Sequence, residues 1–478
     1  MQLSSPVLSR VVRCAAGLSL AGAIACASAM ASPETGRLAE AATQGDRAAL
    51  DSLVEMARRK KDPEAEYALG LMAYEGRGLE RNAKQGYQLI ERAAKQGHAE
   101  ANNMLGYFYE HGIGTAADPA KALAAYRTGA EAGSARARTN LGWYYEHGIG
   151  VAKDPSVAAE WYRQAAEQGS AAAHANLARL YETGSGVARN PIVAIALYER
   201  ALAGGIPSAA MRLGRLVEER GQIAQAADYF VAAAKADIDD ADLAAGRLLV
   251  AAANPRANVE QGIYWLEHAA PGKLEANLLL ASLFDKGAGV PADRARAEHF
   301  FQRAALQGDA ESAYRYAQSL GGAAGSGASD PLPWYRRAAL KGHARAQYEA
   351  ARLLDLVGDE ESVAEAVGWY RKAALQGHTK AALQLAIALD DGRGTAAAPA
   401  EAVEWYLKAA AQNEPEALFR LGNIYDRGKG VSADFGKARD YYARAAGLGH
   451  AQAEQVLQKI VGVPALGQVQ GDPFKGMR

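Results

Sequence analysis

Small and apolar residues return along this chain at helical spacing. Ala137, Leu141 and Tyr145 stand four apart and mark one stripe of a helix. Ala158, Tyr162 and the pair Ala165-Ala166 mark a second helix downstream. Between them Gly148-x-Gly150 suits a loop that needs positive φ, and a proline follows, as at Pro155 and Pro191. Small residues such as Gly142 let the two helices approach closely. The pattern predicts an antiparallel helix pair.

That pair recurs. Gly97, Gly133, Gly169 and Gly205 fall 36 apart, as do Gly272 and Gly308; Gly342, Gly377, Asn413 and Gly449 continue the series. Leu141-Gly-Trp-Tyr-Tyr-Glu-His-Gly-Ile-Gly-Val151 is echoed by Leu421-Gly-Asn-Ile-Tyr-Asp-Arg-Gly-Lys-Gly-Val431. About eleven units of 34–36 residues fit between Asp62 and His450. One pair cannot bury its own apolar surface, so neighbours must stack. The expected fold is all-α, a right-handed α/α superhelical solenoid.

The motif Ala-x-x-x-Leu-Gly-x-x-Tyr-x-x-Gly-x-Gly-Val, followed by Ala-x-x-Trp-Tyr-x-x-Ala-Ala-x-x-Gly, resembles the Sel-one-like repeat, a subclass of the tetratricopeptide repeat. The resemblance covers about 390 of the 478 residues. It implies a scaffold or adaptor that binds proteins. Envelope members of that family include the periplasmic lipoprotein scaffold of alginate export, and others act in host interaction. A cysteine-rich branch, described as β-lactamase-like or penicillin-binding, carries a disulfide in each repeat. This chain, whose two cysteines are Cys14 and Cys26, departs from that branch.

Departures from the motif divide the chain. Residues 32–61 read as N-terminal capping helices, 62–206 as regular repeats and 207–378 as irregular ones. Residues 379–460 read as regular repeats with a C-terminal cap, and 461–478 as an extended Gly/Pro-rich tail. Units at 207–273 lack the Gly-x-Gly-Val loop, and Gly321–Pro331 replaces it with a flexible stretch.

The first 31 residues read as a signal peptide. Arg10 and Arg13 precede an apolar stretch too short to span a bilayer, and Ala29-Met30-Ala31 offers a small-x-small cleavage site. Cleavage after Ala31 leaves 51 basic against 54 acidic residues and no thiol. Disulfides, zinc–cysteine sites and cysteine nucleophiles then fall away together. Alternatively, Ala23-Ile24-Ala25-Cys26 loosely resembles a lipobox, which would make Cys26 a lipidation site and anchor the protein to a membrane. The expected location is the periplasm or cell envelope. Near-neutral charge argues against nucleic-acid partners, which need a summed positive field.

Candidate chemistry is register-locked. His98, His343, His378 and His450 follow the inter-unit glycine (Asn413 holds that slot in one unit), and His111 and His147 share another position. Residues one repeat apart sit roughly 10 Å from each other, too far to share one zinc ion. Glu110, Glu146, Glu182 and Glu218 recur once per unit, which predicts a single solvated setting rather than an acid/base pair. The chain has no Gly-x-Ser-x-Gly elbow, Walker loop or His-Glu-x-x-His helix. The sequence therefore predicts no enzyme, metal or cofactor. Trp161, Trp265, Trp334, Trp369 and Trp405 lie in second helices, where the family resemblance assigns the aromatic to packing between units.

Trp143 is different. It stands about 200° round the helix from the Leu141 stripe and is expected to face the concave, first-helix side. The same slot holds Leu71, Tyr107, Trp143, Arg179, Arg215 and Arg247 in successive units. Aromatics beside arginines favour protein hot spots, and the same groups could stack on an acidic sugar chain. Alternatively, the aromatics cover their own helix while Arg179 and Arg215 pair with Glu182 and Glu218 three residues on. Tyr107, Trp143, Arg179, Arg215 and Arg247 are thus the candidate partner-binding residues. The function expected is an envelope scaffold for other proteins, in a secretion or exopolysaccharide-export complex. A glycan-binding envelope protein binding acidic polysaccharide is the alternative, with a host-interaction factor behind it.

Overall fold

The computed structural model describes residues 33–321 and 330–461. Residues 1–32 with Cys14 and Cys26, the Gly-rich 322–329 and the tail beyond Val461 lie outside the described residues. Those described contain 25 α-helices and no strand. They form an α-solenoid of consecutive helix pairs in contact.

Two compact bodies divide at Asn258 and Val259. The first opens with the pair Pro33–Thr43 and Arg47–Glu55, the latter running on as a π-helical turn over Met56–Lys60. Five further pairs follow, from Pro63–Glu75 to Ile223–Ala234, and then the helix Ala241–Val250. The second body starts with Val259–Ala269, continues through five pairs from Leu274–Lys286 to Phe435–Gly447, and ends on Ala451–Val461.

Local chemistry sets each boundary. Asp118 and Asp154 accept two backbone N–H groups each at the start of second helices, directly before Pro119 and Pro155. Proline is tolerated there because the first-turn N–H has no intrahelical partner. First helices end at glycines in the left-handed region, such as Gly148 at φ 71°. The second glycine of the loop does more. At Gly186, φ is 71° and a Cβ would lie 2.3 Å from the Pro155 carbonyl carbon, in the preceding unit. Gly114, Gly150 and Gly430 are seated in the same way on their predecessors' second helices.

Packing within a pair depends on one close approach. Tyr162 is fully buried against Gly142, where a Cβ would sit 2.8 Å from the ring. Tyr126 on Gly106, Phe230 on Gly214 and Tyr442 on Gly422 repeat the arrangement. Each such burial contributes about 1.5–3 kcal/mol. Around these rings a continuous set of buried alanines, including Ala137, Ala158, Ala165 and Ala173, lets adjacent helices meet closely.

Candidate functional site on the first-helix face

The six slots predicted to form one ladder do not share one environment. Leu71 is 1% exposed and belongs to the core. Tyr107 and Trp143 are half-buried. Each is covered by the histidine one turn on. The Tyr107 and His111 rings lie 4.2 Å apart, and the Trp143 and His147 rings 3.6 Å apart. Each histidine Nδ1 donates to the carbonyl of its own aromatic partner at 3.0 Å, which fixes the ring over it. Both imidazoles are exposed. Beside them Asn140 Nδ2 donates to Asn103 Oδ1 at 2.9 Å, joining neighbouring first helices across the same face.

The arginines correct the sequence expectation. Arg179 does not pair with Glu182 three residues on; it binds Glu146 of the preceding unit at 2.6 Å through both guanidinium nitrogens. Arg247 likewise binds Glu218 at 2.7 Å. Glu182 takes Arg212 instead, at 3.3 Å. Arg215 is exposed and pairs with neither Glu218 nor any other described residue. The physical reason is reach. Stacked first helices bring the next unit's guanidinium onto the carboxylate, where it completes a buried hydrogen-bond set that an i,i+3 partner would leave open.

The carboxylates are not solvated alike, as the repeat had suggested. Glu146 is 7% exposed, and Glu110, Glu182 and Glu218 are half-buried. Each of the first three accepts the hydroxyl of its own unit's packing tyrosine: Tyr126 on Glu110 at 2.7 Å, Tyr162 on Glu146 at 3.0 Å, Tyr198 on Glu182 at 2.6 Å. Burial and the adjacent carboxylates push the Tyr126 and Tyr162 hydroxyls well above the usual phenol range. Phe230 holds the same place without a hydroxyl and leaves Glu218 to Arg247. Glu146, Glu182 and Glu218 staple units together through Arg179, Arg212 and Arg247.

Four further histidines are helix caps. His98, His343, His378 and His450 occupy the N-cap position that Ser134 and Ser170 hold elsewhere, and each accepts a backbone N–H through Nδ1. No group of three or more metal-ligating side chains occurs among the described residues. Trp265, Trp369 and Trp405 are buried in the second helices, and Trp161 and Trp334 half-buried. Trp369 Nε1 donates to Glu365, which also receives Arg336; Trp405 repeats this with Glu401 and Arg371. A shallow cleft of about 410 Å³ lies among Glu267, Asp293, Arg296, His299 and Arg303, but Arg296 is bound to Glu267 at 2.6 Å and rests on the Phe284 ring. No described helix is long and apolar enough to cross a membrane.

The Sel1 repeat family matches nine segments: residues 63–98, 99–134, 135–170, 171–206, 274–309, 334–343, 344–378, 379–414 and 415–450. The chain belongs to the Sel1 repeat family. A protective antigen of uropathogenic Escherichia coli with an SLR fold is 27% identical, covering 86% of this chain and 91% of its own, with a TM-score of 0.60. A Sel1 repeat protein from Oxalobacter formigenes is 24% identical, covering 57% of this chain and 99% of its own, with a TM-score of 0.37. No curated protein matches the chain. Sel1 repeats generally mediate protein–protein interactions on non-catalytic scaffolds, and that holds for this chain's class.

Proposed function

We propose that this Sel1 repeat chain is an exported, non-catalytic scaffold of the periplasm or cell envelope. It docks a partner protein on the first-helix face of its first body. The Tyr107–His111 and Trp143–His147 stacks carry this reading. Two rigid ring pairs, one repeat apart on adjoining helices, present amphipathic surface at little entropic cost, as interface anchors do. Arg215 supplies an exposed cation in the same slot two units beyond Trp143, with no ion-pair partner among the described residues, whereas Arg179 and Arg247 set the spacing of the face. Membership in a secretion or exopolysaccharide-export complex fits the leader, with Cys26 as the alternative anchor.

A glycan partner is the second reading, favoured by Arg215 and the aromatic rings. Sugar stacking needs an open ring face, however, and His111 and His147 each cover one. A role at a host surface draws on the similarity to a protective antigen.

In-cell crosslinking followed by pull-down tests the proposal. Wild type should recover envelope assembly proteins that the Tyr107→Ala/Trp143→Ala variant loses while remaining folded. Equal recovery by the variant would refute the docking face. Recovery of polysaccharide without protein would establish the glycan reading, and β-lactam hydrolysis or acylation would overturn the non-catalytic one.

A further inference from the structure

Four junctions between successive units are closed by a histidine that does two jobs at once. Nδ1 of His98, His343, His378 and His450 accepts the N–H of Ala101, Ala346, Ala381 and Ala453, at 3.0, 3.1, 3.2 and 3.3 Å. The same rings lie flat on an aromatic of the preceding unit's first helix. The partners are Tyr67 at 4.8 Å, Tyr314 and Tyr348 at 4.6 Å, and Phe419 at 4.5 Å. One imidazole therefore caps its own helix and packs onto its neighbour.

This arrangement requires a neutral ring. An accepting Nδ1 has no proton, so the proton of the neutral imidazole is on Nε2. A second proton converts Nδ1 to a donor facing a backbone donor. It also places a cation at a helix N-terminus, where the dipole disfavours it. The ring must then leave the cap, and its stack with the preceding unit goes with it. Ser134 and Ser170 close equivalent junctions with hydroxyls, which do not change charge.

The histidines fall into two classes by what faces Nε2. His343 meets Glu311 at 2.9 Å and His450 meets Glu416 at 3.0 Å, so a carboxylate holds the far side of each of these rings. Glu311 is shared with Arg315 and Glu416 with Arg420. His98 and His378 have no carboxylate bonded at Nε2 among the described residues. Around His98 stand Asp62, Glu64 and Glu100; around His378 stand Glu349, Arg345 and Lys380. Burial outweighs these carboxylates and holds both imidazoles below their ordinary value of 6.5.

We propose that His98 and His378 are acid-released joints of the solenoid, in contrast to the serine-capped joints at Ser134 and Ser170. The His98 joint bears on recognition, because the helix it caps, Ala99–His111, carries Tyr107 and His111. Acidification loosens the start of that helix and its seat on Tyr67.

Residue-resolved amide exchange on the full chain at pH 7.5 and 4.5, corrected for intrinsic rates, tests this. Protection at Ala101 and Ala381 should fall about fivefold, the equivalent of a lost cap. Protection at Ala137 and Ala173, capped by Ser134 and Ser170, should stay level. His98→Ser, copying Ser134, should hold Ala101 protection constant across the two pH values. Unchanged protection at Ala101, an equal fall at Ala137 and Ala173, or a fall that persists in His98→Ser would each overturn the proposal.

Discussion

Arg179 reaches back 33 residues to bind the Glu146 carboxylate at 2.6 Å. That carboxylate already accepts the buried Tyr162 hydroxyl. One glutamate thus fastens the second helix of its own unit and the first helix of the next.

Glu146→Ala should therefore be costly. It strips Tyr162 of its acceptor and leaves a guanidinium 30% exposed without its partner, for an expected loss of about 3 kcal/mol. Arg256→Ala breaks an ion pair 73% and 67% exposed and should change stability by under about 0.5 kcal/mol. Denaturant midpoints of the two variants compare them directly.

Gly142→Ala and Gly368→Ala should move stability in opposite directions. Both replace a helical glycine, which favours alanine by about 1 kcal/mol. At Gly142 the new methyl meets Tyr162 at 2.8 Å, an overpacking penalty of about 1–3 kcal/mol that wins. At Gly368 it meets nothing within 4 Å, so the propensity gain stands. Thermal unfolding reads the sign of each.

Arg179→Ala and Arg215→Ala separate scaffolding from recognition. The first should lower the melting temperature. The second removes an exposed cation with no ion-pair partner among the described residues and should leave melting within about a degree, since surface changes of this kind stay near ±0.5 kcal/mol. It should nevertheless weaken capture of the crosslinked partner. Normal capture by Arg215→Ala would remove this residue from the docking face.

Phe230→Tyr should stabilise the protein by about 1 kcal/mol. Its ring packs on Gly214 as Tyr126 packs on Gly106, and a hydroxyl there would point toward Glu218 as its counterparts point toward Glu110 and Glu146. Urea midpoints measure the gain; a loss would show that the shorter loop before Phe230 changes the aim.

Alkaline pH should unfold the chain through its tyrosines. Burial raises the folded-state values of Tyr126, Tyr162 and Tyr198 above the ordinary 10.0. The unfolded chain then gives up protons first, so their contribution is complete below pH 10 and falls as pH rises beyond it. Stability measured from pH 9 upward should decline, and less steeply in Tyr162→Phe once its lower starting stability is subtracted.

The periodicity of Gly97, Gly133 and Gly169 was enough to read helix pairs and stacking, because those glycines serve local turns. The ion pairs were not readable in the same way. Glu146 has partners 16 and 33 residues away, on two helices whose mutual rotation no single-helix pattern contains. An i,i+3 rule looks along one helix and selects Glu182, which the structure gives to Arg212. The histidine caps left a usable trace: His98 and His378 stand where Ser134 and Ser170 stand, before a helix beginning with small residues. Likewise His111 and His147 follow Tyr107 and Trp143 by four, the spacing of a same-face pair.

The seat of the Gly186 loop on Pro155 gives the solenoid a direction. Gly114 on Ala83, Gly150 on Pro119 and Gly430 on Pro399 point the same way, each later loop resting on an earlier helix. Synthesis delivers the chain in that order, so every new unit arrives at a surface already made. Growth from the amino end is templated step by step. Loss of units from the carboxyl end removes guests and spares hosts, whereas excision of an inner unit strands the loop that depended on it.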